Sequence, residues 1–155
     1  MGLANPLYRI LDIVRGTTVD GPGFRTAIYF SGCSHHCPGC HNPQSWDPEN
    51  GKEMFLSEIL DIIREEDFDV TLTGGDPLFM NTDDLIVLLK EVKNLGYDIW
   101  LYTGFTIEEI RDSGRLRPVL EYVDTIVDGP FIEELRDPDL PFRGSANQNI
   151  IRLHD

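Results

Sequence analysis

All three cysteines of the chain fall within eight residues, as Cys33-x3-Cys37-x2-Cys40. No other feature constrains the fold as strongly. Three thiols on one short loop cannot cross-link distant segments, and an odd number leaves no closed disulfide set. The fold must therefore be held by an apolar core, and the loop must serve some purpose other than stapling. Composition permits this. A chain of 155 residues, 41% hydrophobic and 26% charged, suits one globular domain, taken as 1–155, that buries roughly 70% of its unfolded surface. Collagen-like, low-complexity and disordered classes are excluded on the same grounds. Thiols clustered in this way suit a metal ion or an iron–sulfur cluster.

The cysteine loop interrupts a regular alternation. Phe24 to Ser31 reads as a strand, with Phe24, Ile28, Tyr29 and Phe30 as its bulk. From Cys33 to about Lys52 the chain is rich in Gly, Pro, Asn and His, an irregular loop long enough to imply function. Leu56, Ile59, Leu60 and Ile63 then recur at helical spacing. Asp69 to Thr73 is a short strand running into Gly74-Gly75-Asp76-Pro77. Asn81 and Asp84 suit a helix start, Leu85, Leu88, Leu89 and Val92 form its stripe, and Gly96 its stop. Asp98 to Thr103 is a third strand, apolar enough to be buried on both faces. Thr106 with Glu109 forms a capping box for a short helix ending near Gly114. Val123 to Val127 is a fourth strand, and Ile150-Ile151 marks a fifth. Such alternation predicts an α/β fold of parallel βαβ units. Its functional loops should share one rim, at the carboxyl ends of the strands.

Four unusual loops fall at those ends: the cysteine run, Gly74-Gly75-Asp76-Pro77, Tyr102-Thr103-Gly104 and Asp128-Gly129-Pro130. Their convergence is a stronger signal than any one of them. Three thiolates on a four-iron cluster leave one iron open, and an open position is the mark of a metal that does chemistry. Zinc completed by His35, His36 or His41 is the competing reading, although structural zinc sites usually draw ligands as two separated pairs. Gly74-Gly75 reads either as a plain turn or as bare backbone that a ligand approaches, with Asp76 to hold a ligand ammonium.

Charge narrows the partners. Thirteen basic residues against 27 acidic ones give a net charge of −14. Such a surface repels a phosphate backbone, so no nucleic-acid partner is expected, and solubility accounts for most of the acidity. No run approaches the roughly 20 apolar residues of a membrane helix, so no membrane partner is expected. Met1 to Pro6 lacks the pattern of a signal peptide, and the expected location is the cytoplasm.

The run Asp20-Gly21-Pro22-Gly23-Phe24-Arg25-Thr26, the strand, and then the three cysteines with His41-Asn42-Pro43 resemble the radical S-adenosylmethionine enzymes. Within these, the chain resembles the activating enzymes of glycyl radical enzymes, in particular those serving the anaerobic ribonucleoside-triphosphate reductase. Further support is Gly74-Gly75-Asp76-Pro77, Leu101-Tyr102-Thr103-Gly104-Phe105, Val127-Asp128-Gly129-Pro130-Phe131 and Arg143-Gly144-Ser145-Ala146-Asn147-Gln148. The resemblance runs from about Thr17 to Leu153.

It implies a short, open partial (β/α) barrel with about five parallel strands, its mouth wide enough for a macromolecular substrate. It also implies one 4Fe-4S cluster on Cys33, Cys37 and Cys40, the fourth iron chelated by S-adenosylmethionine. Gly74, Gly75 and Asp76 would meet the methionine amino group. Backbone from Gly39 through Cys40 to His41 would face the adenine, and Asp128 would lie near the ribose or carboxylate. Reductive cleavage would give a 5′-deoxyadenosyl radical that takes hydrogen from a glycine of the reductase's large catalytic subunit. No side-chain acid or base is required, because the cofactor carries the chemistry. With no second cluster, the electron must come from an external one-electron donor such as flavodoxin. The alternatives are activation of another glycyl radical enzyme, such as pyruvate formate-lyase, and a noncatalytic zinc-binding interaction module.

Departures from the pattern are Gly39, where a bulky apolar residue is common, and Asp76 in place of Glu. Tyr102-Thr103 also stands where some relatives place a cation-binding Asp. Among the remaining residues, His35 and His36 read as solvated, and Trp46 and Trp100 as packing residues. Glu65-Glu66-Asp67 reads as a solvated helix end. Arg25 reads either as a clasp to Asp20 or as a docking residue.

Overall fold

The computed structural model describes residues 5–31, 51–137 and 139–154. Its frame is one seven-stranded sheet. The strands are β1 (Leu7–Thr17), β2 (Arg25–Phe30), β3 (Lys52–Phe55), β4 (Asp69–Gly74), β5 (Ile99–Tyr102), β6 (Thr125–Asp128) and β7 (Asn149–Arg152), in the order β3-β1-β2-β4-β5-β6-β7. The helices are α1 (Leu56–Glu66), α2 (Thr82–Asn94) and α3 (Ile107–Asp112). Strands β2, β4, β5 and β6 are parallel neighbours. The connections carrying α1, α2 and α3 each step to the next strand in the same direction. Right-handed crossovers then put all three helices on one face of an open sheet.

Strand alternation divides the side chains accordingly. Ile28, Phe30, Val70, Leu72, Ile99, Leu101 and Ile126 join one core with Leu56, Ile59, Leu60 and Ile63 of α1, Leu85, Leu88, Leu89 and Val92 of α2, and Ile107 and Ile110 of α3. Ala27, Tyr29, Thr71, Thr73, Trp100, Tyr102, Thr125 and Val127 alternate with these and face the other way. That helix-free face is the inner face of the partial barrel.

Local signals place the helices as expected. Asn81 Oδ1 accepts from Asp84 N–H to cap α2, and Gly96 beyond its end takes φ +91°. Thr106 and Glu109 form the reciprocal box of α3.

Three features differ from expectation. The parallel run has four strands rather than five, because β7 pairs antiparallel with β6. The connection between them holds only a short 3₁₀ turn, Glu133–Leu135. A parallel return needs a full crossover, whereas an antiparallel one needs only a loop. Strands β1 and β3 were not anticipated either. In β1 the register slips between Ile10 and Asp12, so a bulge at Leu11 breaks the period of two by which a strand is recognised. Finally, Arg15 pairs with Glu65 at 3.3 Å and Glu66 at 3.0 Å, so that helix end is tied to β1 rather than merely solvated.

Ile10 of β1 is flanked by Phe30 on one side and Lys52 on the other. The segment between β2 and β3 therefore leaves and returns on either side of one strand. Ser31 N–H donates to Arg9 O at 3.1 Å, and Gly51 packs so closely on Ser31 and Arg9 that a Cβ there would collide with Ser31 Oγ.

Candidate radical-enzyme site

The four parallel strands end together, and their loops are stitched along one rim. Gly75 N–H donates to Phe30 O at 2.8 Å, joining the end of β4 to the end of β2. Thr103 N–H reaches Val127 O at 3.0 Å, and Gly129 N–H reaches Phe105 O at 2.9 Å. Ser31 follows the end of β2 on this rim, and the cysteine run begins two residues later in the sequence. Cys33, Cys37, Gly39, Cys40 and His41, with His35, His36 and Trp46, lie outside the described residues.

Gly74 ends β4 at φ +106°, where a Cβ would collide with the backbone of Phe30. Its bareness first serves the close approach of β2, and the half-exposed Gly74-Gly75 backbone is what remains for a ligand. Asp76 is buried and engaged. Oδ1 accepts from Leu78 N–H at 2.9 Å, and Oδ2 from Thr103 Oγ1–H at 3.0 Å and Gly104 N–H at 2.9 Å. Its carboxylate shapes the loop from within and fastens it to the end of β5. Asp128 does the same one strand further on. It is buried, with Oδ2 accepting from Ile107 N–H at 2.8 Å and Oδ1 from Asn149 N–H at 3.1 Å. The two carboxylates are therefore positioning residues of the rim.

The Arg143–Gln148 segment laces the last loop. Gln148 Oε1 accepts from Gly144 N–H at 2.8 Å, Gln148 Nε2 donates to Gly129 O at 3.0 Å, and Asn147 Nδ2 donates to Pro130 O at 2.8 Å. Nothing in hydrophobic patterning signals this role. The adjacent amides of Asn147 and Gln148 are the trace it leaves in the sequence.

Below the rim, on the inner face, Tyr29 sits opposite Thr73, and Tyr102 opposite Val127. Tyr29 donates to Asp20 Oδ2 at 2.7 Å. Burial pushes both phenols well above the ordinary tyrosine range, and the Asp20 hydrogen bond adds to this for Tyr29. Both hold their protons. Asp20 is thus taken by Tyr29, and Arg25 pairs instead with Asp98, at 2.7 Å. Arg25 is 1% exposed and also donates to Thr71 Oγ1, Val70 O and Pro22 O. It is a structural clasp at the opposite end of the strands, not a docking residue. Trp100 packs edge-on to Phe142, ring centres 5.6 Å apart, as a packing residue should.

The donor set fits an iron–sulfur cluster with an open iron. Three thiols lie in one run, the chain has no fourth cysteine, and a bare glycine backbone stands at the adjoining strand end. Among the described residues no group of three His, Cys, Asp or Glu side chains could hold a metal ion. Such a loop on the rim of an open, one-sided α/β sheet defines a radical S-adenosylmethionine-type domain.

Comparison with known proteins agrees. Residues 19–151 match the model of the 4Fe-4S single cluster domain. The anaerobic ribonucleoside-triphosphate reductase-activating protein of Vibrio cholerae is 41% identical over 144 residues, 87% of this chain and 92% of that protein. The proteins of the same name from Escherichia coli K12 and phage T4 are 34% and 35% identical, over 87% and 85% of this chain and 92% and 86% of theirs. Among solved structures, QueE from Escherichia coli shares the fold, with a TM-score of 0.55 at 18% identity. That match covers 64% of this chain and about half (53%) of QueE. The chain belongs to the anaerobic ribonucleoside-triphosphate reductase-activating protein family. Its cluster is 4Fe-4S, which decides against the zinc reading. No helix among the described residues is long and apolar enough to cross a membrane.

Proposed function

We propose that this chain, acting as a single domain over 1–155, activates an anaerobic ribonucleoside-triphosphate reductase by installing a glycyl radical on its large catalytic subunit. The observation that carries the reading is the rim itself: the ends of four parallel strands stitched together at the point where the three-cysteine run begins. Cys33, Cys37 and Cys40 hold three irons. When bound and reduced, the cluster with S-adenosylmethionine supplies a 5′-deoxyadenosyl radical able to take hydrogen from a glycine Cα.

The protein's own task is to bind and orient. The Gly74-Gly75 backbone meets the methionine amino group, with Asp76 fixing that loop. Backbone from Gly39 to His41 would face the adenine. Asp128 holds the neighbouring loop against α3 and β7, beside the ribose and carboxylate. Tyr29 and Tyr102 line the inner face as neutral phenols and offer no charge to a passing radical. With three cysteines the chain has ligands for one cluster, so the electron comes from an external donor of the flavodoxin kind. A cytoplasmic location suits both this donor and a metabolic reductase.

The test is anaerobic. The protein is reconstituted with iron and sulfide, reduced, and given S-adenosylmethionine and the reductase. Formation of 5′-deoxyadenosine and a glycyl radical signal in electron paramagnetic resonance are expected, and both should vanish in Cys37→Ala. Cleavage with no radical on this reductase, but with one on pyruvate formate-lyase, would reassign the partner.

A further inference from the structure

The helix side of the sheet carries a groove of about 500 Å³ between α1 and α2. Leu56, Leu60 and Val87 give it an apolar floor, and Arg64, Lys90 and Glu91 stand on its walls. Those walls hold two cations against one carboxylate, in a chain of net charge −14. Lys93, one turn further on, is committed to Asp124 at 2.7 Å. Lys90 is not. It is exposed, its ammonium lies 5.6 Å from the centre of the Tyr122 ring, and it has no carboxylate partner among the described residues. Arg64 pairs with its exposed neighbour Asp61 at 3.2 Å, in a contact that solvent screens. One end of the groove is tied down beside the cysteine segment. After Gly51 the chain passes through β3 straight into α1, whose Leu56 N–H donates to Pro6 O and Ser57 N–H to Asn5 Oδ1, both at 3.0 Å.

We propose that this groove is the docking site of the external one-electron donor, a protein with acidic side chains around its redox centre. The proposal rests on the activation reading above. The reductase must reach the rim across the open, helix-free face, so a donor that works while the reductase is bound comes from the helix side. The groove lies on that side and begins where the chain returns from the cysteine run. A chain this acidic repels an acidic partner except where its cations stand free. Lys90 and Arg64 therefore set the point of contact, and the apolar floor holds it. In the transfer itself an anionic flavin hydroquinone gives up one electron to the oxidised 4Fe-4S cluster and becomes the neutral semiquinone. No proton moves and no bond breaks.

Stopped-flow reduction of the iron-reconstituted chain by flavodoxin hydroquinone, followed by the rise of the semiquinone absorbance, tests this. Arg64→Glu with Lys90→Glu should slow the second-order rate about tenfold at low ionic strength and flatten its salt dependence. Arg111→Glu with Arg117→Glu makes the same change of net charge at two exposed cations outside the groove, and should alter the rate by less than about twofold. Dithionite needs no docking. With it, both double variants should be reduced, cleave S-adenosylmethionine and form the glycyl radical as the unaltered chain does, at unchanged melting temperature. An unchanged rate and salt dependence in the Arg64 and Lys90 variant would overturn the proposal. So would equal slowing by the Arg111 and Arg117 variant, which would make net charge the cause. A raised reductase requirement under dithionite would give the groove to the reductase instead, and a dimer lost on sedimentation of the variant would give it to a second copy. Flavodoxin that leaves the unaltered chain oxidised would overturn the acidic donor. Failure of the unaltered chain to make the radical even with dithionite would overturn the activation reading, a result seen before any variant is made.

Discussion

Asp76 satisfies three donors at the end of β4, and Asp128 two at the end of β6. Removing either carboxylate strands buried N–H or O–H groups, each worth about 1–3 kcal/mol. Asp76→Ala should therefore lose about 3 kcal/mol of stability, read from the midpoint of urea unfolding. A change within experimental error would mean that the rim is not held this way. The tyrosines set the alkaline limit. Their phenols titrate above the ordinary value in the folded chain and near about 10 when unfolded. Above about pH 10 the folded state then binds more protons, so stability falls as pH rises, while below that point their contribution is complete. Tyr29→Phe should flatten this alkaline fall in urea titrations; an unchanged slope would place its cause elsewhere.

Among the elements, β4 depends most on one residue. Gly74→Ala forces a Cβ into Phe30 at a φ few L-residues adopt, and should cost about 3 kcal/mol by urea unfolding. Gly96→Ala, at φ +91° with nothing within 4 Å, should cost only about 1 kcal/mol. Equal losses would show that the collision does not matter. The elements legible in the sequence were those with uninterrupted periodicity: the stripes of α1 and α2, the capping box of α3, and the short apolar cores of β2, β4, β5 and β6. Strand β1 escaped because the Leu11 bulge and the charges at Arg9, Asp12 and Arg15 disrupt its alternation. The direction of β7 could not be read from Ile150-Ile151, since direction belongs to the connection and not to the strand. At the site, the residue types were legible but not their bonds. Asp76 and Asp128 look like free carboxylates until the backbone donors facing them are known.

In the whole molecule, the sheet and its core are built from residues on either side of the cysteine segment, which meets the fold at Ser31 and Gly51. Those anchors lie against one another beside Arg9 of β1, where Gly51 packs on Ser31. Lengthening or loosening a loop closed in this way changes stability little. The iron-free chain should therefore keep its far-ultraviolet circular dichroism and melt cooperatively, within about 5 °C of the reconstituted form. Collapse of the iron-free chain would mean that the cluster is part of the core. If the frame stands without its metal, damage by oxygen is an injury to a part and not to the whole. A cell returning to anaerobic conditions could then re-equip the chains it already has, without making new ones.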